Sequence, residues 1–385
     1  VVTTANPKLS TEVEAALLLS TPTPREADQE CLRDLLGRTM DWSRILGILF
    51  VHRTAGTAWL NLVGLGFEAL QRVRPDFLLP TLELAYRAQC RYAADQLTRT
   101  TALMRLFDDA GIECVLLKGG AVARMAYRDP GMRFFGDNDL LFHRADLGRV
   151  GTIMKEHGYV QGIWDPGRGE IVPASRREVM LHAVHSHETY PYLRVEPDAQ
   201  VAAIHEVDVH FSVDLLSSNN TDDTVADILA RRIRVDGDGG PVWTPHQEDM
   251  FAFVAVHLER EATHISEVAT TKDLLLYKLL DLLAMLENTA YPVDHDAVVR
   301  RAEQLGLTRE LHFGLFYVDQ LYPGRVPPEL LDRTRPADTA YLHEVRDRTG
   351  PLHTWRAPLP ARFFDGLRQA ELADTIADWT AAAGR

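Results

Sequence analysis

Two aspartates one residue apart, Asp137 and Asp139, open the apolar run Leu140-Leu141-Phe142, and Lys118-Gly119-Gly120 closes an earlier run, Cys114-Val115-Leu116-Leu117. Chemistry on a nucleoside triphosphate needs that combination. Backbone N–H groups must be free to approach phosphates, and carboxylates must converge on a divalent metal. In an extended chain, two-residue periodicity points Asp137 and Asp139 to one face. Like charges that close are costly unless a cation sits between them. A third acid, Asp208, stands between Val207 and Val209 in the strand-like stretch Ala203-Ile204-His205-Glu206-Val207-Asp208-Val209-His210-Phe211. Three strand-borne carboxylates can hold two Mg²⁺ ions about 4 Å apart, the arrangement used for in-line nucleotidyl displacement.

A bare Asp-x-Asp means little in so acidic a chain. Asp236/Asp238 sits among glycines and reads as a turn. Asp294/Asp296 precedes a helical run and reads as N-terminal capping. The first pair differs by its context, with the glycine doublet in front and Asp208 behind. His210 follows Asp208 by two residues on the same expected face and could orient an acceptor or a phosphate. His182, His185, His187 and His205 lie nearby. His185 and His187 would share a strand face, which raises zinc; without HExxH or a Cys/His pattern, solvated or core histidines are the simpler reading. Lys278 and Asp281 at i,i+3 suggest an intrahelical pair, with a nucleotide contact as the sharper alternative for Lys278.

The surrounding pattern must position these groups. Residues 1–111 read as a helical segment. Thr11 with Glu14 forms a capping-box pattern, a helical region covers about 28–50, and an amphipathic stretch from Leu82 to Phe107 stops at Gly111. Residues 112–216 alternate short apolar runs, helices near 120–127 and 145–157, and turn chemistry at Arg128-Asp129-Pro130-Gly131. A polar stretch around 217–223 marks a boundary, and residues 217–385 read as helical again. There Thr244-Pro245-His246-Gln247 looks like a capping box, and Lys272 to Leu286 is strongly apolar. The expected class is α+β: a small mixed sheet with helices, flanked by N- and C-terminal helical segments.

At 385 residues with 46% hydrophobic and 25% charged content, the chain suits an ordinary globular protein. A formal net charge of −14 argues against bulk nucleic acid as a partner, which would require clustered Lys and Arg. Only Lys8, Lys118, Lys155, Lys272 and Lys278 supply lysine, while arginine is abundant, the coding bias of a GC-rich bacterium. That scarcity sets Lys118 apart. Cysteines at 31, 90 and 114 form no CxxC pair and suit a reducing cytoplasm. No apolar run approaches the roughly 20 residues of a membrane span. The opening Val1-Val2-Thr3-Thr4 has neither initiator Met nor signal-peptide architecture and reads as a trimmed end.

Leu116-Leu117-Lys118-Gly119-Gly120, Tyr127, Arg133, Gly136-Asp137-x-Asp139-Leu140-Leu141, Gly158-Tyr159 and Val207-Asp208-Val209-His210 together resemble the uncharacterised bacterial nucleotidyltransferases, a branch of the DNA polymerase beta-like nucleotidyltransferase superfamily. The resemblance covers about residues 112–212, and more loosely the helical segment to about 285. It implies that superfamily's small mixed sheet, with Asp137, Asp139 and Asp208 as catalytic metal ligands for two Mg²⁺ (or Mn²⁺) ions. It also implies triphosphate contacts from Gly119, Gly120, Lys118 and Arg133. Gly120 stands where the superfamily usually has a serine that touches the triphosphate, and Asn138 where an apolar side chain normally packs beneath the sheet. The implied reaction transfers a nucleoside monophosphate, AMP first among candidates, from an NTP to a hydroxyl or other nucleophile, releasing pyrophosphate. A small-molecule acceptor in secondary metabolism fits the acidic, bacterial chain. The alternatives are a toxin-like transferase acting on tRNA or a protein, and a degenerate fold that binds nucleotide without turnover.

Overall fold

The computed structural model describes residues 9–74, 77–213 and 221–383. The chain forms two compact units. One gathers the chain up to Glu83 with Phe251–Asn288 and the chain from Pro292 onward; the other is Leu84–Met250 with Thr289–Tyr291.

The first unit is mainly helical. It contains α1 (Thr11–Ser20), α2 (Glu26–Leu36), α3 (Trp42–Val51), α4 (Ala55–Gly64) and α5 (Phe67–Leu70). Helix α1 is capped one residue earlier than the Thr11/Glu14 pattern suggests. Ser10 accepts from Val13 N, so its hydroxyl satisfies one of the free amides of the first turn.

The second unit carries the sheet. Helix α6 (Leu78–Asp109) ends in the turn at Gly111, whose φ of +66° suits glycine. There follow β1 (Cys114–Leu116), α7 (Lys118–Met125), β2 (Asn138–Phe142), α8 (Leu147–Glu156), β3 (Val160–Asp165), β4 (Glu170–Pro173), α9 (Arg176–His185), β5 (Tyr192–Val195) and β6 (Ile204–His210). Six strands form one sheet in the order β1-β2-β6-β5-β3-β4. Only the β2–β6 pair runs parallel; its neighbours are antiparallel. The architecture is thus α+β with a small mixed sheet.

Helix α9 corrects the expectation that His185 and His187 share a strand. A complete capping box, Ser175 with Glu178, starts a helix that ends at His185, so the two histidines lie on different structure. After α10 (Asp222–Ala230), strands β7 (Ile233–Val235) and β8 (Val242–Thr244) form a hairpin that the helical reading of this region did not anticipate. The Asp236-Gly-Asp-Gly-Gly stretch is its turn, as its glycines suggest, with Gly239 and Gly240 at φ +82° and +107°.

Helix α11 (Gln247–Thr263) begins two residues later than the Thr244-Pro245 pattern suggests. Thr244 is spent as a strand residue, its hydroxyl donating to the Pro245 carbonyl, while His246 pairs with Glu248. The first unit is completed by α12 (Ile265–Ala269), α13 (Leu276–Leu286), α14 (His295–Leu305), α15 (Thr308–Leu321), α16 (Pro328–Thr334), the hairpin β9 (Glu344–Asp347) and β10 (Gly350–Thr354), α17 (Leu359–Phe363) and α18 (Ala373–Ala383). Asp294 caps α14 by accepting from Ala297 N at 3.0 Å, the role its position suggested.

Candidate functional site

The parallel pair aligns Asp139 with Asp208, Asn138 with Val207 and Leu141 with His210. Because successive side chains alternate, Asp139 of β2 and Glu206, Asp208 and His210 of β6 share one face, while Asn138, His205, Val207 and Val209 share the other. Adjacent strands lie about 4.8 Å apart, so the two aspartates are neighbours by construction. Asp137 is exposed just ahead of β2, and Asp139 is only 3% exposed.

Lys118 joins this face from the end of β1. Leu117 N donates to Asp139 O at 2.8 Å, continuing the β1–β2 ladder. The next residue turns sharply, with Lys118 at φ +47°, and α7 begins. The turn carries the Lys118 ammonium to Asp139 Oδ1 at 2.7 Å. On the same carboxylate, His210 Nε2 lies 2.8 Å from Oδ1.

The glycine doublet is required by packing. A Cβ on Gly119 would sit 2.6 Å from Phe135 Cβ and 3.7 Å from Arg133 Nη2. A Cβ on Gly120 would meet Leu116 and Leu97 side chains, the nearest atom at 3.2 Å, so position 120 faces the apolar core. Arg133 is 5% exposed and donates to the Phe134 carbonyl, so it is a buried guanidinium beside the first turn of α7 rather than a surface arginine.

The electrostatics follow from this crowding. Burial favours protonation of Asp139, but Lys118 and His210 outweigh it and hold the carboxyl far below the usual range. Desolvation disfavours the Lys118 charge, yet Asp139 and then Asp137 raise its pKa. Asp208 behaves oppositely. Burial, then the charges of Asp139, Glu188, Asp137 and Glu206, push its pKa well up, and its Oδ1 is buried without a hydrogen-bond partner. Asp137 opens to solvent on one side, but the protein behind it desolvates it and, with Asp139, raises its pKa; Lys118 and Arg133 oppose the rise. Glu206 is raised by burial and by Asp137, Asp139 and Glu188.

Residues 38–323, well over half of the chain, match the family model described as uncharacterised nucleotidyltransferase. The chain belongs to this family. It is therefore a nucleotidyltransferase, a transferase that takes a nucleoside triphosphate. Its structure is similar to the crystal structure of an antigenic nucleotidyltransferase-like protein from Paracoccidioides brasiliensis, at 12% identity and a TM-score of 0.29, covering 58% of this chain and 92% of that one. No curated protein matches it. Among the described residues, no helix is long and apolar enough to cross a membrane.

The structure of this nucleotidyltransferase brings Asp139, Asp208, Lys118 and His210 together, with Asp137, Gly119, Gly120 and Arg133 around them. Lys278 belongs to the other unit, where it is 6% exposed and its ammonium meets Glu261 at 2.7 Å. Two acids join the face that sequence reasoning passed over. Glu206 was available from the Glu206-x-Asp208-x-His210 alternation. Glu188 was not, because it belongs to no regular strand and reaches the site through an isolated bridge to His210.

Asn138 also finds its explanation. It points away from the aspartates into a buried network with α6. Its amide donates to Gln96 Oε1 at 2.7 Å and to Glu206 O at 3.0 Å, and Thr100 Oγ1 donates to its carbonyl at 2.8 Å. His205 Nε2 lies 2.9 Å from the same hydroxyl, and Tyr159 OH 2.6 Å from His205 Nδ1. A neutral His205 that donates from Nε2 and accepts at Nδ1 satisfies every member. Asn138 is thus a satisfied buried polar residue on the back of the sheet.

Proposed function

We propose that the Asp139/Asp208 face transfers a nucleoside monophosphate from an NTP, ATP first among candidates, to a small-molecule hydroxyl or similar nucleophile. The observation that carries this reading is the register of β2 and β6, which sets Asp139 beside Asp208 with Lys118 on the same carboxylate. A buried, unpartnered Asp208 oxygen among several acids fits a cation site, since like charges gathered without one are costly. Asp137, Asp139 and Asp208 would hold Mg²⁺, which supplies charge neutralisation for the phosphates and acidifies an acceptor hydroxyl.

The remaining work falls to the chain itself. The first-turn N–H groups of α7, beside Lys118, suit anionic phosphate oxygens. Lys118 and Arg133 offset charge on the triphosphate and the departing pyrophosphate. The acceptor oxygen forms its bond to the α-phosphorus as the bond to the α,β-bridging oxygen breaks, and Asp208, set beside Asp139 by the β2–β6 register, is the carboxylate placed to take the acceptor's proton. The acidic chain supports a small acceptor over tRNA or DNA.

Pyrophosphate release, measured over the four NTPs with a panel of hydroxyl- and amine-bearing small molecules, tests the proposal. Turnover that disappears in Asp139→Asn and Asp208→Asn supports it. Turnover unaffected by both substitutions would falsify the metal assignment, and nucleotide binding without turnover across the panel would favour a degenerate site.

A further inference from the structure

Beside the aspartates, three imidazoles close on one carboxylate. His210 Nε2 is 3.2 Å from Glu188 Oε2, and His187 Nε2 is 3.6 Å from the same oxygen. His182, on α9, places Nε2 3.9 Å from Glu188 Oε1. A nitrogen of His187, one of His210 and a Glu188 oxygen all lie within 4.8 Å of one another.

This cluster is built into the fold. Phe211 N donates to His187 O at 3.0 Å and Thr189 N donates to Val209 O at 2.9 Å, so a short bridge holds the backbone of both ligating residues against the end of β6. The rings of His187 and His210 stand 5.1 Å apart, and His182 is braced edge-on by Tyr190 at 5.4 Å. His210 is fully buried and turns Nε2 to Glu188 and Asp139. His182 Nε2, which looks toward Glu188 Oε1, is buried without a hydrogen-bond partner. A buried polar atom left over beside such a cluster calls for an explanation such as an ion.

We infer that His187, Glu188 and His210 form a binding site for a divalent transition ion of the zinc or manganese class, bordering the aspartates. Two imidazole nitrogens and one carboxylate suit zinc, manganese or cobalt, whereas Mg²⁺ prefers an all-oxygen set. His210 Nε2 also lies 2.8 Å from Asp139 Oδ1, so an ion held here borders the candidate active site. The inference needs no turnover and stands apart from the nucleotidyl-transfer reading.

The test is a visible-spectrum titration of the chelator-treated full chain with Co²⁺, paired with metal analysis after desalting. The expected result is one tightly held Co²⁺ with d–d absorption, displaced by Zn²⁺ and retained in millimolar Mg²⁺. His187→Ala and Glu188→Gln should each weaken it about tenfold or more, and Asp137→Asn should leave it in place. Circular dichroism and melting verify folding, and the near-isosteric Glu188→Gln carries the test if His187→Ala does not fold. Absence of a stoichiometric ion, unchanged affinity in both variants, or loss of the ion in Asp137→Asn alone would overturn the inference.

Discussion

Lys118 donates to Asp139 Oδ1 at 2.7 Å from a backbone in the left-handed region, at φ +47°. The charge and the turn are separable by substitution. Lys118→Gly removes the ammonium and suits the turn, whereas Lys118→Ala also leaves a Cβ in a region that costs about 1 kcal/mol. Both variants should lose about 10²-fold in kcat/KM for the NTP. Lys118→Gly should melt higher than Lys118→Ala; equal melting temperatures would refute the strain at this turn.

Asp208 contributes repulsion in the metal-free protein. Replacing it with the near-isosteric Asn removes a charge opposed by burial and by Asp139, Glu188, Asp137 and Glu206. Asp208→Asn should reduce turnover about 10³-fold while stabilising the metal-free fold by about 1 kcal/mol. Chemical denaturation in chelator reads the second effect; a destabilised variant would contradict it.

Gly120→Ser installs the serine that the sequence resemblance led to expect at this position. Its Cβ would meet Leu116 and Leu97, with the nearest atom at 3.2 Å, so the hydroxyl enters apolar surroundings. The expected outcome is no gain in NTP affinity by calorimetry and a stability loss of about 1–2 kcal/mol. Tighter nucleotide binding would show instead that position 120 reaches the phosphates.

Asn138→Leu tests the network behind the sheet. It strands the buried Gln96 amide oxygen, while the Thr100 hydroxyl keeps the Gln96 carbonyl and His205, and should cost about 1–3 kcal/mol. A melting temperature equal to the parent's would mean that an apolar residue fits equally well here.

Acid should weaken the second unit through His205. Burial, then the Arg194 and Arg99 charges, lower its pKa to about 3, against about 6.5 when unfolded. A lowered folded pKa means the contribution is complete above pH 6.5 and lost as pH falls toward 3. The loss is up to about 5 kcal/mol at the lower end. Denaturant unfolding between pH 7.5 and 4.5 should show this slope, reduced in His205→Asn. An identical slope in the variant would assign the acid sensitivity elsewhere.

What could be read in advance followed the strength of local signals. The runs at Cys114–Leu116 and Ile204–His210 alternate cleanly or are wholly apolar, and so brought Asp139 and Asp208 into view. Strands β3 and β4 escaped because nearly all of their residues are exposed or half-exposed, which dilutes the hydrophobic pattern. Helix α9 did announce itself through Ser175 and Glu178, a cap that the histidine spacing overshadowed. Glu188 carries no local signal, since its placement depends on a pairing with β6 more than twenty residues away. Asn138 looked like a defect from its own strand, because its partners Gln96 and Thr100 lie on α6.

Those partners also act as a gauge of alignment. A one-residue slide of β6 along β2 would turn Asp208 and His210 toward α6 and bring Val207 and Val209 to the opposite face. Hydrophobicity alone guards weakly against such a slip here, because β2 is buried on both faces. Thr100 supplies the missing discrimination. Its single hydroxyl meets Asn138 of one strand and His205 of the other, and both contacts exist in one alignment only. A side chain on the far side of the sheet thereby sets which carboxylates stand side by side on the near one.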